Sequence, residues 1–200
     1  MKYETKNLFP TDGQLLSRQE KESLTGQKGL VIWLVGLSGS GKSTLANALD
    51  RYFFSQGRLS VVLDGDNVRT GLNANLGFSE EDREENLRRV AEVSKLFVRN
   101  GLIVINAFIT PLERYRLISR AILGSDLHEV YVRCSFEACR QRDVKGLYAK
   151  AAEGKVANFT GKDSGFEEPS HPDLILNTEE LSEKEALEKL IAYLAPHWQM

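Results

Sequence analysis

Residues Leu30 to Thr44 read LVIWLVGLSGSGKST, and no other stretch restricts the possible folds as strongly. An apolar run of strand-forming residues, Leu30 to Val35, runs into Gly36. A short turn then leads to Gly41, Lys42 and Ser43, completing the pattern G-x-x-x-x-G-K-[ST]. After it, Leu45, Ala48, Leu49, Tyr52 and Phe53 recur at helical spacing. Strand, glycine loop and helix in that order make a phosphate-binding loop.

Glycines at 36, 39 and 41 permit backbone conformations that other residues resist, and they keep side chains away from a polyphosphate. The loop amides can point inward as a nest at a helix N-terminus, where the dipole favours anions. Lys42 adds a full charge for the β- and γ-phosphates, and the Ser43 hydroxyl is placed to ligate an accompanying magnesium ion. The candidate ATP-binding set is therefore Gly36, Leu37, Ser38, Gly39, Ser40, Gly41, Lys42, Ser43 and Thr44. The loop by itself does not separate a kinase from an ATPase or GTPase.

The chain has 200 residues, 42% hydrophobic and 27% charged, which suits one globular domain. A net charge of -2 supplies no global attraction for nucleic acid or an anionic membrane, so anion recognition has to be local. No apolar stretch approaches the roughly 18 residues of a membrane span, and MKYETKNLFPTDGQ lacks a signal-peptide core. A cytoplasmic location is the expectation. Cys134 and Cys139 form no C-x-x-C pair and His128, His171 and His197 are scattered, so the cysteines read as reduced and structural.

Residues 1–28 are polar and weakly periodic and read as an N-terminal arm packed on a domain spanning 29–200. From Gly29 the pattern alternates: strand 29–36, helix 42–56, strand 59–64, a helix near 67–73, helix 80–100, strand 102–109. There follow helix 112–123, strand 129–134, helix 136–143, strand 173–177 and helix 183–195. Such alternation predicts an α/β fold with a parallel sheet covered on both faces. Ser79 with Asp82, and Ser182 with Glu185, resemble capping boxes, and Gly101 falls where a helix C-terminal glycine is expected. The segment 145–171 carries Gly146, Gly154, Gly161 and Gly165 among Lys145, Lys150, Lys155 and Lys162. It reads as a mobile lid over phosphates, the alternative being a disordered surface insertion.

The second strand ends LDGDN. If the extended conformation persists, Asp64 and Asp66 project to one side beyond the sheet's carboxyl end, where ligands bind in such folds. One can hold magnesium through water and the other can take a proton from an attacking hydroxyl; a helix cap is the alternative for Asp66. In the helix opening SEEDREENLRRVAEV, Arg83 and Asn86 extend the stripe of Leu87, Val90, Ser94 and Phe97, so their polar groups need partners. A bound anion would supply them, as would an internal salt bridge. Arg69 could join the same anion site. Phe78 and Phe159 sit in polar or glycine-flanked surroundings and suggest a base sandwiched between two rings.

Together GLSGSGKST at 36–44, LDGDNVRTGLN at 63–73, LGFSEEDREENLRRVAEV at 76–93, AFITP at 107–111, RDVKGLY at 142–148 and FTGKDS at 159–164 closely resemble the adenylylsulfate kinase family. The resemblance implies a P-loop NTPase fold of the nucleoside-monophosphate-kinase type, three layers about a five-stranded parallel sheet. It also implies transfer of the γ-phosphoryl group of ATP to the 3′-hydroxyl of adenosine 5′-phosphosulfate. Carried over by position, it puts Arg69, Arg83 and Asn86 around the phosphosulfate and Phe78 and Phe159 on either side of the substrate adenine. Ile109, Lys145 and Leu147 fall at the acceptor site and Arg142 against the ATP base. The catalytic candidates are Lys42, Asp66 and Thr110; Ser43 and Asp64 are the magnesium candidates. A homodimer is the expected assembly.

Three positions depart from the family pattern. Thr110 stands where a serine, often described as a phosphoserine intermediate, is usual. Direct in-line transfer needs no phosphoenzyme, so Thr110 reads as a positioning residue. Glu113 stands where an arginine is usual, although Arg116 matches a later one, and Lys162 replaces an apolar residue. A same-fold kinase for another acceptor would not need Phe78, Phe159, Arg69, Arg83 and Asn86 together. A regulatory GTPase would need an N-K-x-D motif, which is missing from the sequence, and the D-x-x-G match at Asp143 to Gly146 follows a helix pattern instead of a strand.

Overall fold

The computed structural model describes residues 9, 11–154, 160 and 165–200. Strands β1 (Leu30–Val35), β2 (Ser60–Asp64), β3 (Ile103–Phe108), β4 (Leu127–Arg133) and β5 (Leu174–Asn177) form one parallel five-stranded sheet. Their spatial order is β2-β3-β1-β4-β5. From β1 the chain goes to the edge strand β2, returns to β3 beside β1 and then crosses to β4 and β5 on the other side, so β1 stands at the topological switch point. Ligands bind at that point in open α/β sheets, beyond the carboxyl ends of the strands.

All six residues of β1 are buried because both faces of the sheet are covered. Leu30, Ile32 and Leu34 pack toward α2 (Lys42–Ser55) and α8 (Glu183–Trp198). Val31, Trp33 and Val35 pack toward α4 (Glu80–Val98) and α5 (Glu113–Leu123). The period-two alternation of a strand thus feeds two separate apolar cores. A smaller cluster of Leu37, Cys134, Cys139, Tyr148 and Ala151 lies beside the glycine loop and involves α6 (Phe136–Arg142) and α7 (Leu147–Ala152).

Some boundaries follow the sequence reading and others differ from it. Ser182 and Glu185 form the full reciprocal box at the start of α8. At α4, Ser79 Oγ accepts from the Asp82 amide at 3.1 Å, but the Asp82 carboxylate turns to the Gly77 amide at 2.9 Å, so that cap is one-sided. Pro196 does not stop α8, which runs on to Trp198. Packing outweighs the missing proline N–H there: the Trp198 ring meets Phe53 edge-on at 5.6 Å, and its carbonyl accepts from Lys28 N at 2.9 Å. The helix expected near 67–73 starts earlier, as α3 (Gly65–Arg69), because Asp64 Oδ1 accepts from the Asp66 amide at 3.0 Å and caps it.

Residues 18–25 form a helix, α1 (Arg18–Thr25), that the weak apolar periodicity did not announce. Its signals are terminal: a complete Ser17–Glu20 capping box and left-handed Gly26 at the far end. Arg18 anchors it, donating to Asp126 Oδ1 at 2.8 Å and to the Gly29 carbonyl at 2.6 Å. Gln27 then fastens the segment under β2 and β3. Its Nε2 donates to the Leu59 and Gly101 carbonyls at 2.9 and 3.0 Å, and its Oε1 accepts from the Leu59 amide at 2.9 Å.

Gln27 is fully buried, so Gln27→Leu would leave those three backbone groups short of partners. The expected loss is about 2–4 kcal/mol of unfolding free energy in urea titrations. A loss below about 1 kcal/mol would mean that water replaces the amide.

Candidate active site

A cleft of about 540 Å³ opens across the carboxyl ends of the strands. One end is the glycine loop. Gly36 has φ 154, and a Cβ there would come within 2.5 Å of the Val132 carbonyl oxygen, so the loop's approach to β4 depends on glycine. Gly41, at φ 102, starts α2 and aims its first amides over the sheet. Among the loop residues, Ser38, Gly39, Gly41, Lys42, Ser43 and Thr44 line the cleft, while Gly36, Leu37 and Ser40 are buried behind it. The Ser40 hydroxyl is buried without a hydrogen-bond partner among the described residues.

Lys42 is buried, and its Nζ donates to the Leu37 carbonyl at 2.7 Å. Burial lowers its pKa to about 8, an effect that nearby Lys145 adds to and that Asp64 and Asp66 oppose. Ser43 Oγ donates to Asp64 Oδ2 at 2.7 Å. The extended arrangement expected for Asp64 and Asp66 does not form, since the chain turns into α3 at Gly65. Both carboxylates nevertheless face the cleft. Asp64, not Asp66, is the helix cap, which leaves the exposed Asp66 carboxylate to pair with Lys145 Nζ.

The opposite end of the cleft is cationic. Phe78 is 60% exposed, and the Arg69 and Arg83 guanidinium groups stand 4.6 and 5.9 Å from its ring centre. Arg69 donates to the Gly77 carbonyl at 2.7 Å; Arg83 donates to the Phe78 carbonyl and to Thr160 Oγ1, both at 3.0 Å. Burial lowers the pKa of both arginines, and for Arg69 the Arg83 charge adds to it. Two like charges held beside one aromatic ring repel each other, and an anion between them would offset that repulsion. Asn86 is buried, with its Oδ1 accepting from Asn73 Nδ2 at 3.0 Å. Phe159 and Lys162 lie outside the described residues.

Ile109, Thr110, Lys145 and Leu147 line the middle of the cleft. Within the segment read as a lid, the structure forms α7, whose first amides are met by a neighbouring carboxylate: Asp143 accepts from Tyr148 N at 2.9 Å and Ala149 N at 3.0 Å. Arg142 lies against the outer side of the glycine loop, donating to the Thr178 carbonyl at 2.6 Å and to Thr178 Oγ1 at 3.1 Å. Burial pushes the Cys139 thiol behind the loop up to about 12, so it stays protonated and unreactive.

Sequence reasoning missed four residues here. Thr178 ties Arg142 to the glycine loop, with Oγ1 also donating to the Ser40 carbonyl at 3.0 Å. Tyr148 donates its hydroxyl to the Ser38 carbonyl at 2.8 Å. Trp33 bonds Thr110 Oγ1 at 2.9 Å, and Asn73 bonds Asn86. Thr178 had a signal, its place just past the last strand; the other three depend on contacts between distant segments.

The family model for adenylylsulphate kinase matches residues 28–177. The adenylyl-sulfate kinase of Phocaeicola vulgatus is 50% identical over 194 residues, covering 96% of this chain and 95% of the relative. A probable adenylyl-sulfate kinase of Halalkalibacterium halodurans is 54% identical over 180 residues, 90% of this chain and 89% of that one. Among solved structures, the Mycobacterium tuberculosis APS kinase CysC in complex with AMPPNP and APS superposes with a TM-score of 0.81 at 43% identity. That match covers 84% of this chain and 98% of the other.

With its pKa near 8, Lys42 carries its full charge at pH 7 and loses it as pH rises through 8. Nucleotide phosphates hold the charged form, so above pH 8 binding must be accompanied by proton uptake. ADP affinity should be flat below about pH 7.5 and then fall, approaching tenfold per pH unit. Lys42→Met should bind weakly without this pH dependence. Calorimetric titrations from pH 7 to pH 9.5 check it, and a flat wild-type profile contradicts it.

Proposed function

The chain belongs to the adenylylsulphate kinase family, and we propose that its cleft moves the γ-phosphoryl group of ATP onto the ribose 3′-hydroxyl of adenosine 5′-phosphosulfate. The products are ADP and 3′-phosphoadenosine 5′-phosphosulfate. One observation carries the assignment of roles: a single cleft has a polyphosphate cradle at one end and two arginines over an aromatic ring at the other, with Asp66 and Lys145 between them.

In this reading the loop amides and Lys42 hold the ATP phosphates, and Arg142, fixed by Thr178, flanks the ATP base. Arg69 and Arg83 meet the phosphosulfate, and Phe78 stacks on the acceptor adenine. Asn86, with Ile109 and Leu147, completes the acceptor wall. Phosphoryl transfer asks chiefly for positioning and for stabilisation of charge on the transferred oxygens. Lys42 and Lys145 bring positive charge to either side of the transfer path. Asp66 orients the 3′-hydroxyl and takes its proton; to do so it must exchange its contact with Lys145 for one with substrate.

The Ser43 hydroxyl and Asp64 carboxylate suit magnesium, a hard cation that prefers oxygen ligands and is commonly held by few protein groups together with substrate phosphates. No cluster of three or more acidic, histidine or cysteine groups among the described residues offers an all-protein cage, in keeping with that division of labour. When bound there, the ion neutralises charge on the phosphate oxygens.

The lid, the homodimer and the cytoplasmic setting belong to the same reading. Lys145 and α7 are the lid's anchored end. Leu96 and Leu117, exposed on α4 and α5, are apolar surface that an interface would cover. No helix among the described residues is long and apolar enough to cross a membrane, and Cys134 and Cys139 are free thiols.

The test is incubation with ATP, magnesium and a panel of acceptors, with products identified by mass. Phosphate should appear on adenosine 5′-phosphosulfate, and transfer only to other acceptors would overturn the reading. Asp66→Asn should lower kcat by about 10²–10⁴-fold in protein with an unchanged melt, since Asp66 caps nothing. Near-normal turnover in that variant would remove Asp66 from the chemistry.

A further inference from the structure

Thr110 has φ 44 and shares the left-handed region with one other described non-glycine residue, Asp143. That backbone is unfavourable for a β-branched side chain, and such conformations persist only where the surroundings over-determine them. Two buried groups do so here. Trp33 of β1 donates its indole N–H to Thr110 Oγ1 at 2.9 Å, and Arg116 of α5 donates from Nη1 to the Thr110 carbonyl at 3.0 Å. Trp33 and Arg116 are each 1% exposed, so neither contact has room to drift. Arg116 is steadied by Glu113 at 2.8 Å, one of the departures from the family pattern.

A hydroxyl carries one proton and two lone pairs. Trp33 occupies one lone pair, and among the described residues no acceptor takes the proton of Thr110, which lines the cleft. No described carboxylate bonds to that hydroxyl as a base would have to if Thr110 were a nucleophile. We propose that Trp33 is a positioning residue for the transfer, fixing the Thr110 hydroxyl as a hydrogen-bond donor to an anionic oxygen of the bound substrates. On this view Thr110 holds the reacting groups in place and never carries the phosphoryl group. The inference rests on the function proposed above and adds to it a residue with no direct contact to substrate.

The chain has two tryptophans, and Trp198 Nε1 is buried without a partner among the described residues. Nitrogen-15 labelling of tryptophan therefore gives two indole signals, assigned with Trp33→Phe. Addition of ADP with magnesium, then of adenosine 5′-phosphosulfate, should shift the Trp33 signal in wild type and Thr110→Ser. It should not do so in Thr110→Val, and the Trp198 signal should stay still. In assays, Thr110→Val and Trp33→Phe should each lower kcat roughly 10–100-fold, Thr110→Ser should recover most of what Thr110→Val loses, and the double variant should be no worse than the worse single.

If Trp33→Phe melts, 3-benzothienylalanine in place of both tryptophans keeps their shape and removes both N–H groups, of which only that of Trp33 has a hydrogen-bond partner among the described residues. A Trp33 signal indifferent to every ligand, or losses that multiply in the double variant, overturns the proposal. A signal that answers ADP but not adenosine 5′-phosphosulfate keeps Trp33 in its role and overturns the acceptor assignment instead.

Discussion

Glycine at position 36 is the constraint on which the rest of the site depends. A Cβ there would stand 2.5 Å from the Val132 carbonyl oxygen and 2.8 Å from Ser40 Oγ, and neither the strand nor the buried loop serine has space to yield. With hydrogen in that place, the chain leaves β1 close against β4 and folds back to begin α2 at Gly41. Lys42 then enters the first turn buried, and Ser43, one residue on, reaches Asp64 at the end of β2. A larger residue at 36 would displace the loop from β4 and separate the lysine, the hydroxyl and the carboxylate at once.

The electrostatics of the cleft are local. The whole chain is weakly acidic, with net charge -2, yet Lys42, Arg69, Arg83, Arg142 and Lys145 all line one cavity with three carboxylates, Asp64, Asp66 and Asp143. Burial depresses the pKa of Lys42 and of both arginines over Phe78, so the protein keeps these cations close together at some cost in solvation. In the proposed reading, bound phosphate and sulfate groups relieve that cost. Asp66 and Lys145 partly screen each other, and the proposed function has them part when a substrate hydroxyl and a phosphoryl group arrive.

The sheet and most helices were legible because their signals are local. The apolar run at 30–35, the turn glycines and the Ser182–Glu185 box each determine their own neighbourhood. Asp64 and Asp66 both reach the cleft although the extended geometry expected for them does not form: whichever way the strand ends, both residues stand at its carboxyl edge. Two helices were missed for opposite reasons. α1 has no buried face and is defined by its caps, and α7 begins after a left-handed glycine, Gly146, in a segment whose composition resembles a loop. Trp33 looked like one more apolar residue of β1. Its polar edge matters only because β3 delivers Thr110 beside it, a fact of strand order that no local window contains.

The central claim is that this geometry moves a phosphoryl group directly between two bound nucleotides, with Thr110 held as a donor and no covalent intermediate on the protein. The stereochemical course at phosphorus tests it most directly. With ATP made chiral at the γ-phosphorus by oxygen isotopes, one in-line displacement inverts the configuration, and the account predicts inversion in the 3′-phosphate of the product. Retention would require two displacements through a phosphorylated residue and would contradict it.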